Sequence, residues 1–292
     1  MARTSAVRRT NSFYWLLLTP SLLFLTAFLV VPFIMLIVLS FRDVDSLMNT
    51  LPTYTLSHYV EVFTSGAYLD VIAKTLGIAL LTTVICILLA YPAAYLLVRT
   101  QKPGLRTLFY ILLISPLLTS VVIRTFAWIV ILSQNGLLNE VLLWMHVIDK
   151  PITVLWTMNA VIIAYVQVML PFAVLPIATS MGEIQPKLRD ASMSLGAGRV
   201  RTFFRVTLPL TLPGMLSGAG IVFALAAGSY ITPLLVGGRL QPLLSLSIYQ
   251  QAVQVFNMPF AAALSVTLLL LVGIVVALIG WISKRWEARL HD

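Results

Sequence analysis

The chain has 292 residues, of which 60% are hydrophobic and only 10% charged, far from the roughly 25% charged residues of an ordinary soluble domain. Its formal charge of +9 invites a nucleic-acid reading, but the basic residues are spaced like the loops of a membrane protein, which argues against a DNA footprint. The lone Cys86 rules out a disulfide framework and a cysteine-based metal cluster.

No Asp, Glu, Lys or Arg occurs in 10–41, 75–98, 151–182, 206–238 or 240–283. Each interval can hold a membrane helix of about 20 apolar residues. A further apolar run after Arg106 is interrupted only by Arg124. Spans are therefore expected at 14–40, 71–98, 107–132, 153–181, 213–236 and 260–283. Apolar runs of this length satisfy their backbone hydrogen bonds as helices. The expected fold class is an all-α integral membrane protein with six transmembrane helices. Its single transmembrane domain, 14–284, lies between a basic N-terminus, 1–13, and a tail, 285–292. The first run is too long for the apolar core of a signal peptide and is read as a retained helix.

Orientation follows from the loops. Alternate segments starting at the N-terminus hold Arg3, Arg8 and Arg9; Arg99, Lys102 and Arg106; Lys187, Arg189, Arg199, Arg201 and Arg205; and Lys284, Arg285 and Arg289. These are fourteen of the nineteen basic residues. The positive-inside rule places both termini and the 183–212 loop in the cytoplasm.

Among the outer loops, 42–70 is expected to carry a short interfacial helix with Tyr59 and Phe63 on one side. The 133–150 loop opens on the turn signal Asn135-Gly136 and continues with helical spacing over 137–147. The 237–259 loop shows only turn signals at its ends. Seven prolines inside the spans (Pro20, Pro32, Pro92, Pro116, Pro171, Pro176, Pro233) remove backbone donors and are expected to kink or interrupt helices. Gly214 and Gly218 form a small-x-x-x-small pair suited to close helix packing.

Arg124 is the one charge well inside an expected span, where burial costs roughly 2.5–3.5 kcal/mol on insertion scales. Two readings stay open: a residue facing the solute path, paired with Glu140 or with a carbonyl, or an arginine reaching the interface from a shifted span. The spans hold no carboxylate, so a polar and aromatic path is expected for any solute, with Tyr91, Tyr95, Gln167, Ser229 and Tyr230 as candidates for its lining beside Arg124.

The most specific stretch is the polar interval 183–209. Pro186 suits the first turn of a helix. Leu188, Ala191 and Leu195 then recur at i, i+3 and i+7, and Gly196 and Gly198 supply a stop. A helix of about ten residues is marginal alone in water and needs a partner surface. Arg199, Arg201 and Arg205 follow, able to meet carboxylates or lipid phosphates. Asp190-Ala191-Ser192, Gly196 and Val206-x-Leu208-Pro209 stand at the spacing of the Glu-Ala-Ala…Gly…Ile-x-Leu-Pro loop, which this stretch closely resembles. That loop belongs to permease subunits of binding-protein-dependent ABC importers. Asp replaces Glu at 190, Ser replaces Ala at 192 and Val replaces Ile at 206, all chemically mild changes.

The resemblance extends over roughly 20–280. Ile123-Arg124-Thr125, Leu132-Ser133-x-x-Gly136-x-Leu138-Asn139-Glu140, Ile148-Asp149-x-Pro151-Ile152, Leu170-Pro171-Phe172 and Pro209-Leu210-Thr211-x-Pro213-Gly214 look like the first permease subunit of spermidine/putrescine-type importers. The resemblance implies the type I permease fold of ABC importers in the bacterial inner membrane. It implies a second, related permease chain, two ATPase subunits that carry ATP and Mg, and an extracytoplasmic binding protein that delivers a polyamine or related small amine. It makes Asp190, Ala191, Ser192, Leu195, Gly196, Arg199, Arg201, Leu208 and Pro209 the ATPase-coupling loop of a non-enzymatic transport subunit working by alternating access. No Walker A motif occurs in the sequence, so no cofactor is expected in this chain. The alternative from another class is an ion-gradient-driven carrier or channel. A membrane-embedded enzyme is disfavoured because His58, His146 and His291 are scattered among loops and tail, and no acidic cluster falls inside a span.

Overall fold

The structure is a computed structural model that describes residues 18–238 and 242–291. The expected basic N-terminus, positions 14–17 of the first expected span, and Arg239 lie outside the described residues. Among the described residues, six segments are long and apolar enough to cross a membrane: Leu18–Ser40, Gly66–Arg99, Val121–Trp144, Met158–Glu183, Arg199–Gly228 and Met258–Ala288.

Helix α1 (Leu18–Ser40) leads into a two-stranded antiparallel ribbon, β1 (Arg42–Val44) and β2 (Thr50–Tyr54). This ribbon departs from the all-helical expectation. Its turn is closed by Asp45, whose carboxylate accepts from the backbone of Leu47 and Asn49 at 2.8 Å. The Asn49 side chain also donates to it and, as the largest cause, holds the carboxyl below its ordinary range. The expected short helix follows as α2 (Ser57–Thr64). Its buried side carries His58 and Val62, while Tyr59 bonds the Ser40 hydroxyl at 2.6 Å and Phe63 stays exposed.

The long helix α3 (Gly66–Arg99) runs through Pro92 unbroken. The third expected span, 107–132, is instead two helices, α4 (Pro103–Leu118) and α5 (Val121–Leu132), with Thr119 extended between them. Pro116 withholds a donor near the end of α4, so the chain can leave the helix there at little cost. After α6 (Leu137–Trp144), α7 (Met158–Glu183) also continues through its two prolines. The 183–212 interval folds as α8 (Pro186–Ser194) and α9 (Arg199–Thr202), then enters α10 (Leu208–Gly228) through a wide turn, Phe203–Thr207.

That turn stands directly before Pro209, and another, Thr26–Val30, stands directly before Pro32. In both, the N–H after the turn reaches five residues back, as in Leu208 to the carbonyl of Phe203. A proline cannot supply the regular fourth-residue donor, and widening the turn accommodates the mismatch.

Helices α3, α7 and α10 pack against one another, α12 (Met258–His291) flanks α10, and α1 lies against α12. Much of their buried seam is small: Ala79, Cys86, Ala90 and Ala94 on α3, Ala173 on α7, Ala226 and Ala227 on α10. Lipid tails are as apolar as leucine, so close packing rather than water exclusion must hold such helices together. Gly214 and Gly218 serve this end. A Cβ built on Gly214 would lie 2.6 Å from the carbonyl of Pro176, and one on Gly218 would lie 3.2 Å from the Ala173 backbone.

The interval 237–259, expected as loop, contains the helix α11 (Leu244–Tyr249), whose Leu244, Ser245, Leu246 and Ser247 are buried. Its first N–H is capped by the α3 side chain Thr75 at 2.8 Å. The expected tail 285–292 is also helical as far as it is described, because α12 runs through to His291.

Candidate functional site

Helix α8 stands out for what it leaves uncovered. None of its residues is buried, and only Arg189 and Ser192 are even half-buried. Leu195 just beyond it is 89% exposed. Gly196 ends it with φ +85°, in the left-handed region that favours glycine. The N–H groups of Leu195, Gly196 and Ala197 fold back onto the carbonyls of Ala191, Met193 and Ser192. A Cβ at Gly196 would meet nothing within 4 Å, so the backbone alone demands glycine there.

The expected apolar stripe Leu188, Ala191, Leu195 points into the open, together with Val200 and Phe204 after it. Asp190 is also exposed, as are Arg199 and Arg201. The loop is anchored on its other side, where the Ser192 and Thr202 hydroxyls are 3.1 Å apart. Leu208 and Pro209 form the entry to α10, and the Pro209 carbonyl accepts from the Trp286 indole at 3.1 Å. A short helix with a bare apolar face, tied to the first turn of a core helix, can pass a push from a partner into the membrane bundle.

The six path candidates do not form one cluster. Tyr91 and Tyr95 sit at the loop end of α3. The Tyr91 hydroxyl is 3.1 Å from that of Thr211, and its ring meets Phe203 edge-on at 5.6 Å. Tyr95 lies beneath the Arg99 guanidinium at 5.6 Å. Thr211 and Ser229 are at opposite ends of α10, about 27 Å apart along a helix axis, so no compact site includes both groups.

At the far end, Ser229 ends α10 with an extended backbone, and its carbonyl accepts from the Tyr165 hydroxyl and from Ser245, each at 2.8 Å. Tyr230 stacks on Tyr249 with ring centres 5.0 Å apart.

Arg124 and Gln167 make a third group. Arg124 donates to the carbonyl of Pro116, bridging the break between α4 and α5. Glu140 is exposed, and the one ion pair among the described residues joins Asp70 to Lys74, so of the two expected partners the carbonyl is the one engaged. Trp128, one turn along α5, donates to Gln167 at 3.3 Å.

Sequence reasoning passed over Tyr165, Thr211, Trp128 and Phe203, which hold these groups in place. A buried tyrosine hydroxyl needs a partner, so tyrosines within spans were the available signal. It also missed a cavity of about 700 Å³ between α10 and α12, lined by Ser217, Gly220, Ala224, Val276, Gly280 and Lys284 among others.

The family described as the binding-protein-dependent transport system inner membrane component matches residues 83–288. The spermidine/putrescine transport system permease protein PotB of Salmonella typhimurium (strain SL1344) is 34% identical over 279 residues, 96% of each chain. PotB of Escherichia coli (strain K12) is 35% identical, covering 89% of this chain and 94% of its own. A chain of a bacterial ABC transporter involved in import of the acidic polysaccharide alginate has the same fold, with TM-score 0.73, 20% identity, and coverage of 97% of this chain and 99% of that one.

Proposed function

The chain belongs to the family of binding-protein-dependent transport system inner membrane components, and from that premise we propose that it carries a polyamine or a related small amine. It is a permease subunit of an ABC importer, a multi-pass protein of the bacterial inner membrane. The solute class rests on the PotB relatives, which match it almost end to end. The lack of any carboxylate in the core of the bundle fits a permissive path and a separate binding protein that selects the amine.

The observation that carries the mechanism is the uncovered helix α8, closed by Gly196. In our reading both termini and the 183–212 loop are cytoplasmic, and a separate ATPase grips the face carrying Leu188, Ala191 and Leu195. ATP binding and hydrolysis occur on that partner. Movement of α8 reaches α10 through Ser192, Thr202 and the wide turn at 203–207, so the loop end of α10 tilts against α3 and α7. A second, related permease chain completes the path, which opens alternately to either side.

Membrane vesicles holding the chain, its co-expressed subunits and the binding protein should take up labelled putrescine or spermidine only with ATP on the ATPase side. Uptake that survives ATP withdrawal but collapses with the ion gradient would replace the importer with an ion-driven carrier.

A further inference from the structure

Between the end of α3 and the α8–α9 loop lies a cavity of about 320 Å³ whose lining includes Tyr95, Arg99, Arg189, Arg199, Thr202 and Thr207. Three arginines contribute to the lining, and no carboxylate does. The Nε and Nη2 atoms of Arg189 are buried without a hydrogen-bond partner. Buried guanidinium nitrogens with idle donors are costly even on a half-buried side chain, and the planar fork fits a phosphate. The neighbouring Asp190 points into the open and forms no ion pair with it.

The cavity is not isolated. Tyr95 and Phe203 also line an adjoining groove with Tyr91, Pro92 and Leu96, about 430 Å³ and almost wholly apolar. Leu96 is 53% exposed, so the groove opens on the outer surface of the bundle. A partner's acidic side chain would use the cationic cavity and leave the groove unused. A phospholipid uses both.

We propose that this cavity binds the phosphate of an anionic phospholipid whose acyl chain lies along the groove. The lipid then joins α3 to the loop that carries α8. The site needs no particular solute and rests only on the loop lying at the membrane surface, so it can fail or stand independently of the polyamine assignment.

The test is lipid retention by the full chain, extracted with its native subunits and measured by native mass spectrometry after exchange into phosphatidylglycerol or phosphatidylcholine. Phosphatidylglycerol should be retained preferentially, and Arg189→Gln and Arg199→Gln should each weaken retention about fivefold. Arg285→Gln, whose guanidinium lies 3.9 Å over Trp281 and outside the cavity lining, should change nothing. Arg199 is exposed, so its variant keeps the test valid if Arg189→Gln misfolds. Equal retention of both lipids, or retention indifferent to both cavity variants, overturns the proposal. Full displacement by millimolar inorganic phosphate overturns it in favour of a free anion. Retention seen only after the ATPase is stripped away overturns it in favour of a partner carboxylate.

Discussion

The hydroxyl of Tyr165, on α7, donates to the carbonyl of Ser229 at 2.8 Å, at the point where α10 breaks. Ser245 donates to the same oxygen, so a carbonyl released by the end of one helix is held by two others. Tyr165→Phe and Ser245→Ala should each cost about 1 kcal/mol of stability. The double variant should lose more than the sum, because the half-buried acceptor is then left with neither donor. Melting temperatures of the four proteins in one detergent test this; simple additivity would mean that water reaches the carbonyl.

Gly214 and Gly218 predict a graded response. Gly214→Ala drives its methyl against the Pro176 carbonyl, a backbone atom that cannot swing away, and should cost about 1–3 kcal/mol. Ser180→Ala removes the hydroxyl at 2.5 Å but leaves the Cβ of residue 180 at 2.8 Å and the Pro176 carbonyl in place, and should not rescue it. Gly218→Ala is less tight at 3.2 Å and should cost less. Gly273→Ala, with nothing within 4 Å, should be neutral or slightly stabilising. Thermal unfolding of the extracted protein ranks them, and equal losses at all three glycines would contradict the packing.

Arg124 acts on the break between α4 and α5 through the Pro116 carbonyl. Arg124→Met should therefore lower the melting temperature and the transport rate together, with Arg124→Lys in between. If the variant instead weakened apparent solute affinity at unchanged stability, Arg124 would belong to the path itself.

Much of this architecture was legible in the sequence because charge is so costly inside a bilayer. Five charge-free intervals marked five helices, and α8 was readable from Pro186 to its stop at Gly196. The break at Thr119 was hidden because apolar residues continue on both sides, and hydropathy does not register a backbone that leaves the helix. Likewise, Leu243 and Leu244 looked like outer-loop residues although both are buried. Their burial depends on α11 folding back onto α3, a contact 169 residues away in sequence. The path candidates were chosen by residue type alone, and type could not reveal that Tyr91 on α3 meets one end of α10, at Thr211, while Ser229 closes the other.

The most direct measurement is affinity capture of the chain from its native membrane, comparing the natural protein with Gly196→Asp and quantifying the ATPase recovered. The side chain enters open space, so the variant should reach the membrane in normal amount, but it adds strain at φ +85° and a charge on the proposed docking face. The expected result is ATPase with the natural chain and little or none with Gly196→Asp, with uptake lost in parallel. Recovery of the natural chain without any ATPase, or full ATPase recovery and normal uptake with the variant, would contradict the coupling role of the α8 loop.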